Sequence, residues 1–341
     1  MTASRPSDHA VPGRDVEVLI PTGGARGTLG VTLTALLGQR VLPAAVLVSD
    51  QSDGATAIAD PVVQGVTRVL RRRGVDVRLI AHPSDAGVAE NRHHLLGLAA
   101  APYVLLLDDD ILLEAMALGR LCDAMGALRC GAVGMAMTGL SHVDDVRPGD
   151  HVPFERVHGP VEPERVRKGN PAWERWRLHN AATMVHLGEA AGLHGGEPAG
   201  SWTAYRVAWT SGCVLVDRAV LVETGGFEFW PLLTRRGFGE DVVAQLRVME
   251  RAGAVGLLPS EAHSLELPTS IPEREVDAYA AVLAAPAAPA APAAPAAPAA
   301  PAAPAASAVS AESAESAESA GPAAPPGPDS APGRARLPSQ E

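Results

Sequence analysis

The chain has 341 residues, 47% of them hydrophobic, and carries a formal net charge of −11 at pH 7. This length allows one large domain or two small ones, with a substantial apolar core. Five acids and two arginines lie in residues 286–341, so the rest of the chain keeps a net charge of −8. Such an acidic body disfavours broad nucleic-acid binding and a polybasic membrane contact.

Short apolar segments alternate with helical segments over the first third of the chain. The patterns predict strands at 16–22, 44–50, 75–82 and 103–110, and helices between them at 28–39, 60–74 and 87–101. This alternation is typical of an α/β fold, Rossmann-like, with a mostly parallel sheet and helices on both faces. Ligands of these sheets lie beyond the carboxyl ends of the strands. Three of the predicted strands end there on Thr22, Asp50 and Asp108.

Three consecutive aspartates, Asp108, Asp109 and Asp110, follow the apolar run 104–107. Adjacent carboxylates repel one another and are costly beside a buried strand, so their charge needs to be offset. Alternation along a strand puts Asp108 and Asp110 on one face, with Asp109 opposite. Two carboxylates on one face suit a hard divalent cation, Mg or Mn. An acidic turn that caps the next helix is the structural alternative.

The rest of the sequence sets the domain organisation. Residues 1–14 are expected to be a disordered leader, and 15–283 a globular body. Residues 284–341 are expected to be a disordered tail, because proline recurs at every third position near its start and blocks helix and sheet. Within the body, 141–209 is rich in His, Trp, Arg and Pro with weak periodicity. We expect it to be an insertion that helps to build the acceptor region.

The cysteines and the apolar segments bear on location. Cys122, Cys130 and Cys213 form no CxxC pair, and an odd, sparse count points to a reducing compartment. The N-terminal residues lack an apolar signal core. The longest apolar stretch, 95–107, is too short to span a bilayer. We therefore expect a cytoplasmic protein without a transmembrane segment.

Six motifs in chain order resemble the family 2 glycosyltransferases of the GT-A fold. They are VLIPT, VSDQSDG, AGVAENRHHLL, YVLLLDDDILLE, TSGCVLVDRAVLVETGGF and GFGEDVVAQLRV, and the resemblance covers roughly residues 16 to 268. It implies a metal-dependent, inverting enzyme that moves a sugar from a nucleotide-diphosphate donor to an acceptor hydroxyl. The acceptor class stays open between a small molecule, a glycan and a lipid-linked molecule, the last of which would bring transient membrane contact.

The resemblance assigns roles to the acids at the strand ends. In this family the first acid of the DXD-type motif faces the nucleoside and the last binds the metal. Carried over, Asp110 ligates Mn or Mg, and Asp108 contacts the ribose or the metal. The acid that ends the second strand contacts the base in the family, and here that acid is Asp50.

The family resemblance also implies nucleotide contacts outside the acids. The loop after the first strand lines the nucleotide, which suggests Thr22 and Arg26, although a solvated loop arginine would look the same. The segment GVAENRHHLL resembles the family's G-x-A-x-A-R-N segment and implies a nucleotide contact for Arg92. The order Asn91-Arg92 departs from the family order.

The GEDV motif resembles the family's acidic motif near the acceptor. Carried over, Asp241 is the general base on the acceptor hydroxyl and Glu240 is its neighbour. A hydroxyl becomes a good nucleophile when a carboxylate takes its proton during attack. Acids also suit a helix N-terminus, which is the structural alternative. His263 lies where many GT-A enzymes place a further metal or phosphate ligand.

The GGF motif resembles the family's turn on the acceptor side. Gly225 and Gly226 would let the backbone approach the sugar closely. Phe227 and Trp230 would stack on a sugar face, with core packing as the alternative for the phenylalanine.

Two other functions stay open on the sequence. A sugar-phosphate nucleotidyltransferase has a Gly-rich loop that PTGGARGTLG resembles, but that class usually needs a phosphate-binding lysine, and Lys168 is the one lysine of the chain. A non-catalytic relative that binds a nucleotide sugar would have lost its acids, whereas Asp108, Asp110 and Asp241 are all present.

Overall fold

The computed structural model describes residues 11–23, 27–142, 154–179, 201–233, 235–268, 271 and 274–284. The leader up to residue 10 and the tail from residue 285 lie outside the described residues, as does Arg26. No helix among the described residues is long and apolar enough to cross a bilayer. Cys122, Cys130 and Cys213 are buried free thiols.

Strands and helices alternate in the first half of the chain, as the sequence predicts. The strands are Val16–Thr22 (β1), Ala45–Asp50 (β2), Asp76–Ala81 (β3), Tyr103–Leu107 (β4), Ile111–Leu113 (β5), Ala132–Gly134 (β6), Thr138–Gly139 (β7), Arg156–Val157 (β8), Thr203–Tyr205 (β9), Cys213–Asp217 (β10), Gly237–Phe238 (β11), Ala254–Leu258 (β12), Ala262–Ser264 (β13) and Val276–Asp277 (β14). The α-helices are Thr28–Leu37 (α1), Thr56–Ala59 (α2), Pro61–Arg72 (α3), Val88–Leu98 (α4), Ala117–Leu128 (α5), Arg218–Glu223 (α6), Glu240–Ala252 (α7) and Ala278–Val282 (α8).

Nine strands form the central sheet in the order β3-β2-β1-β4-β10-β6-β12-β9-β8. Strands β3, β2, β1 and β4 are parallel, and β10 runs antiparallel between β4 and β6. Because β6, β12 and β8 rejoin the first direction, the sheet is mostly parallel. The predicted fold class, an α/β protein with a mostly parallel sheet, is confirmed.

Alternate residues of the central strands pack on opposite faces of the sheet. Val18 and Ile20 belong to a core cluster that contains residues of α1, α3 and α5, whereas Leu19 belongs to a second cluster with residues of α4, α6 and α7. A strand that is apolar at every position therefore fills two cores at once. The continuous apolar runs of β1, β2 and β4 follow from this burial on both faces.

The segment 141–209 contributes partly to the sheet. Its strands β8 and β9 pair with each other and extend the sheet from β12. A 3₁₀ helix, Pro171–His179, lies between them in sequence, while 143–153 and 180–200 lie outside the described residues. The expected insertion is thus, where described, an extension of the sheet edge.

Two small sheets flank the carboxyl ends of the central strands. One has the order β5-β13-β7 and continues the chain directly after the aspartate run. The other pairs β11, which lies immediately before α7 in sequence, with β14, which lies immediately before α8. These two sheets carry the polar segments that surround the candidate site.

Candidate active site

A cleft of about 1050 Å³ opens at the carboxyl ends of β1 and β4. Its walls include Thr22, the three aspartates Asp108 to Asp110, and Arg92 of α4. Glu240 and Asp241, in the first turn of α7, line the same cleft. Of the three polar residues expected at the strand ends, Thr22 and Asp108 line this cleft and Asp50 does not.

The aspartate run leaves strand geometry at once, because β4 ends at Leu107. The carboxylate of Asp109 accepts a hydrogen bond from the Thr22 hydroxyl at 2.5 Å, and its backbone carbonyl accepts one from the Thr32 hydroxyl at 2.9 Å. All three aspartates line the cleft. The Asp109 carboxylate thus bonds to β1, whereas the Asp108 carboxylate bonds to Arg92 of α4, and the expected alternation of these side chains stays a prediction.

Arg92 joins the aspartate run to the acids of α7. Its Nη2 donates to Asp108 Oδ1 at 2.5 Å, and its Nε donates to Glu240 Oε1 at 3.1 Å. The residue is only 5% exposed. Burial alone lowers the pKa of Arg92, but the charges of Asp108, Glu240 and Asp241 outweigh it and raise that pKa above its ordinary value. The guanidinium is therefore a fixed positive charge between three carboxylates.

The order Asn91-Arg92 has a clear structural consequence. The Asn91 side-chain amide donates to the Ser49 carbonyl at 3.0 Å and to the Thr22 carbonyl at 3.4 Å. These bonds fix α4 to the ends of β1 and β2, so Arg92 reaches Asp108 and Glu240. The resemblance implies that Arg92 contacts the nucleotide. In the structure, its Nε and Nη2 instead donate to protein carboxylates.

Asp241 is the half-buried acid of the first turn of α7. Burial, then the charges of Glu240 and Asp108, raise its pKa to about 7, against the opposing effect of Arg92. Glu240 is itself buried and bonded to Arg92. Of the two adjacent acids, Glu240 thus holds the site together, and Asp241 has the pKa of a base that works near neutral pH.

Asp50 lies outside the cleft, contrary to its implied contact with the base. It is fully buried, and its Oδ1 accepts from the backbone N and the hydroxyl of Ser52. Its Oδ2 accepts from the backbone N of Ala57 and Ile58 at 3.0 and 3.1 Å. An acid that ends a strand can bind the following turn as readily as a ligand, and Asp50 binds the turn.

His263 is held away from the aspartates. It lies on β13 opposite Leu112 of β5, and its Nε2 is 2.8 Å from Oε1 of Glu114. This hydrogen bond is the main reason that the pKa of Glu114 lies below its ordinary value. His263 does not line the cleft, so its implied role as a metal ligand finds no support in this geometry. The residue that meets Asp110 is Leu265, whose backbone N donates to the Asp110 carbonyl at 3.0 Å.

The GGF motif ends α6 and packs on the core. The backbone N of Gly226 donates to Leu221, and a Cβ at Gly226 would lie 2.7 Å from the Leu96 side chain of α4. Phe227 is fully buried. Trp230 packs against the same core cluster, and none of Gly225, Gly226, Phe227 and Trp230 lines the cleft. The structure therefore places this motif in core packing and does not bring it to the cleft where its acceptor role was expected.

Five residues that the sequence did not assign to the site also line the cleft. They are Lys168, Trp173, Trp209, Phe238 and Tyr279. Trp173 contacts Trp209 and Tyr279 with ring centroids 5.0 Å apart in each pair. For Lys168, Trp173 and Trp209 the sequence signal is the aromatic and basic composition of 141–209, which does not say which rings face the site. Phe238 and Tyr279 lie outside that segment.

The acids of the aspartate run suit a hard cation only when a bound ligand supplies further oxygen atoms to its coordination shell. Asp108 and Asp110 line one cleft, but Asp108 is already bonded to Arg92. Within the described ranges, no group of three or more His, Cys, Asp or Glu residues is arranged to hold a metal ion. The residues therefore fit a cation that takes two protein carboxylates and completes its shell with ligand phosphates and water, as Mg²⁺ usually does.

A search of solved structures matches the fold of this chain to S. aureus TarS 1-349. The sequence identity is 14% and the TM-score is 0.47, and the match covers 74% of this chain and 60% of that chain. Another is the mannosyltransferase PcManGT from Pyrobaculum calidifontis in complex with GDP-Man and Mn²⁺, at 15% identity and a TM-score of 0.46, covering 78% and 62%. This chain thus spans about three fifths of their lengths. Identities and TM-scores this low say nothing about the donor or the acceptor of this chain.

A search of curated proteins finds no match to the sequence. The family model described as glycosyl transferase family 2 matches residues 17–181. This match contains β1 from Glu17 onward, β2 to β4, α4 and the aspartate run. Residues 17–181, just under half of the chain, therefore match the family 2 glycosyltransferases.

Proposed function

We propose that the cleft binds a nucleotide-diphosphate sugar and transfers its sugar, with inversion, to an acceptor hydroxyl. One observation carries this proposal: the aspartate run and the acids of α7 line one cleft and are joined by the buried Arg92. A donor site and a base on opposite sides of a cleft are what an in-line displacement at an anomeric carbon requires.

Asp241 takes the proton of the acceptor hydroxyl as its oxygen attacks the anomeric carbon. A pKa near 7 suits this task, because about half of the carboxyl groups are ionised at neutral pH and the carboxylate is strong enough to accept the proton. Glu240 and Arg92 hold the first turn of α7 against the strand ends. Attack from the face opposite the leaving diphosphate inverts the anomeric configuration.

The donor diphosphate needs positive charge, because it enters a cleft lined by Asp108, Asp109 and Asp110. A Mn²⁺ or Mg²⁺ ion held by Asp108 and Asp110 would supply it and stabilise the leaving group. Arg92 already offsets part of the charge of Asp108. The hydrogen bond from Thr22 keeps the Asp109 carboxylate turned toward β1, at the base of the proposed donor site.

The test is the Asp241→Asn variant. Transfer should fall by about two to four orders of magnitude, the range for loss of a general base, while nucleoside diphosphate binding is retained. Asp76→Asn is the matched control, because Asp76 is exposed and paired only with Arg78 on the surface. Transfer by Asp241→Asn at the wild-type rate would overturn the assignment of the base.

A further inference from the structure

Two cations meet on one rung of the small sheet that borders the base helix. Phe238 of β11 pairs directly with Asp277 of β14. The Arg274 guanidinium lies over the Phe238 ring at 5.4 Å from its centroid, and Lys168 Nζ is 3.0 Å from Asp277 Oδ2. All four side chains line the cleft. Phe238 is three residues before Asp241 in sequence.

Lys168 is held in place while its side chain stays 46% exposed. Its Nζ lies 4.6 Å from the centroid of Tyr279 and 5.7 Å from that of Trp173. Its backbone N donates to the Tyr279 hydroxyl at 2.9 Å. Ordering the long side chain in advance reduces the entropy lost when the ammonium binds a further group.

Arg235 adds a third positive charge to the cleft wall. Its backbone packs so closely on the start of α4 that a Cβ at Gly87 would lie 2.9 Å from the Arg235 Cα. Among the described residues, Arg235 and Arg274 have no carboxylate partner. The neighbouring Arg236, by contrast, is bonded to Glu275 and does not line the cleft.

The acceptor end of the cleft therefore has an excess of positive charge. At the β11–β14 ladder, the charged residues that line the cleft are Lys168, Arg235, Arg274 and one carboxylate, Asp277. The other carboxylates of the cleft wall are Asp53, Asp85, the aspartate run, Glu240 and Asp241. A local cluster of one sign of charge attracts ligand groups of the other sign. The donor diphosphate has its own place beside the aspartate run, on the other side of Arg92.

We propose that the acceptor carries an anionic group, a phosphate or a carboxylate, close to the hydroxyl that receives the sugar, and that Lys168, Arg235 and Arg274 bind this group. The inference rests on the proposed function and names the chemical class of its acceptor. Guanidinium groups bind phosphate and carboxylate through paired hydrogen bonds, and the ammonium acts as a point charge.

Lys168 offers a direct test because it is the only lysine of the chain. The full chain is acetylated with an N-hydroxysuccinimide ester, and the rate at Lys168 is followed by peptide mass spectrometry. Inorganic phosphate, glucose 6-phosphate and glucuronate are the anionic probes, and glucose is the neutral control. A bound anion at ten times its dissociation constant should slow acetylation about tenfold, the unliganded fraction setting the rate.

The different probes distinguish a phosphate from a carboxylate as the bound group, and they distinguish the acceptor site from the donor site. Protection by the phosphates alone, or by glucuronate alone, identifies the anionic group. Protection by a nucleoside diphosphate as strong as that by the other anions would assign these cations to the donor and overturn the proposal, as would no protection by any anion. The nucleoside diphosphate titration tests donor binding separately, so the two failures are distinguishable.

Variants supply an independent test. Arg274→Gln should weaken anion protection of Lys168 about tenfold, the effect of one charge-assisted hydrogen bond. Arg236→Gln is the matched control and should leave protection unchanged, because Arg236 is paired with Glu275 outside the cleft. Equal protection in wild type and Arg274→Gln would contradict the part assigned to Arg274.

Discussion

The two walls of the cleft are built in different ways. On the donor side, regular elements fix each polar group: Thr22 of β1 holds Asp109, and Asn91 of α4 binds the ends of β1 and β2. On the acceptor side, a two-residue ladder, a 3₁₀ helix and aromatic contacts carry Lys168 and Trp173. Under the proposed function, the sheet would fix the groups common to the reaction, while short irregular segments would select the acceptor.

Arg92 is where the two walls meet, so its replacement gives the largest expected effect. Arg92→Met leaves Asp108 and Glu240 without their partner, and loss of one member of a buried ion pair costs about 3 kcal/mol or more. Urea unfolding measures the loss. Arg78→Met is the control, because its pair with Asp76 is exposed and should contribute less than about 1 kcal/mol. Equal losses in the two variants would contradict the bridging role.

Gly87 tests the packing of the acceptor-side loop on the donor-side helix. Gly87→Ala meets both a φ of 92° and the Arg235 backbone, whereas Gly74→Ala meets a φ of 89° with no atom near its Cβ. Both variants lose about 1 kcal/mol from backbone strain, and Gly87→Ala should lose more because of the clash. Thermal unfolding of the two variants measures the difference. A smaller loss in Gly87→Ala would show that this contact is unimportant.

Asp241 should make stability depend on pH. Its pKa rises from 3.8 to about 7 on folding, so the charged form is disfavoured in the folded state. Stability from the protonated form is present below about pH 4 and is lost as pH rises to about 7. Asp241→Asn should therefore raise Tm by a few degrees at pH 8 and leave it unchanged at pH 4. An equal shift at both pH values would contradict the raised pKa.

Replacement of His263 tests whether this residue binds the metal or only bonds to Glu114. We expect it to have the smallest effect on nucleotide binding. Because Glu114 holds its ring outside the cleft, His263→Gln should leave manganese-dependent nucleotide binding unchanged in a fluorescence titration. Asp110→Asn should weaken that binding strongly. Equal weakening by both substitutions would restore His263 as a metal ligand.

The donor side could be predicted from the sequence because its signals are local. Apolar runs that end in acids specify strand ends, and strand ends of a parallel sheet meet at one edge. Asp50 shows the limit, since a strand-terminal acid that binds its own turn has the same sequence pattern as one that binds a ligand. The acceptor side depends on which ring packs inward: Phe227 and Trp230 were predicted there, but Trp173 and Trp209 line it. That choice follows from tertiary packing, which carries no periodic signal.

Calorimetric titration of nucleoside diphosphates into the wild-type chain and Asp110→Asn, with and without Mn²⁺, tests the central claim most directly. The account predicts that one nucleoside diphosphate binds the wild type in a manganese-dependent way and that Asp110→Asn loses this dependence. Binding that is the same in both proteins, or no binding to folded wild-type protein, would contradict the assignment of the aspartate run to the donor site.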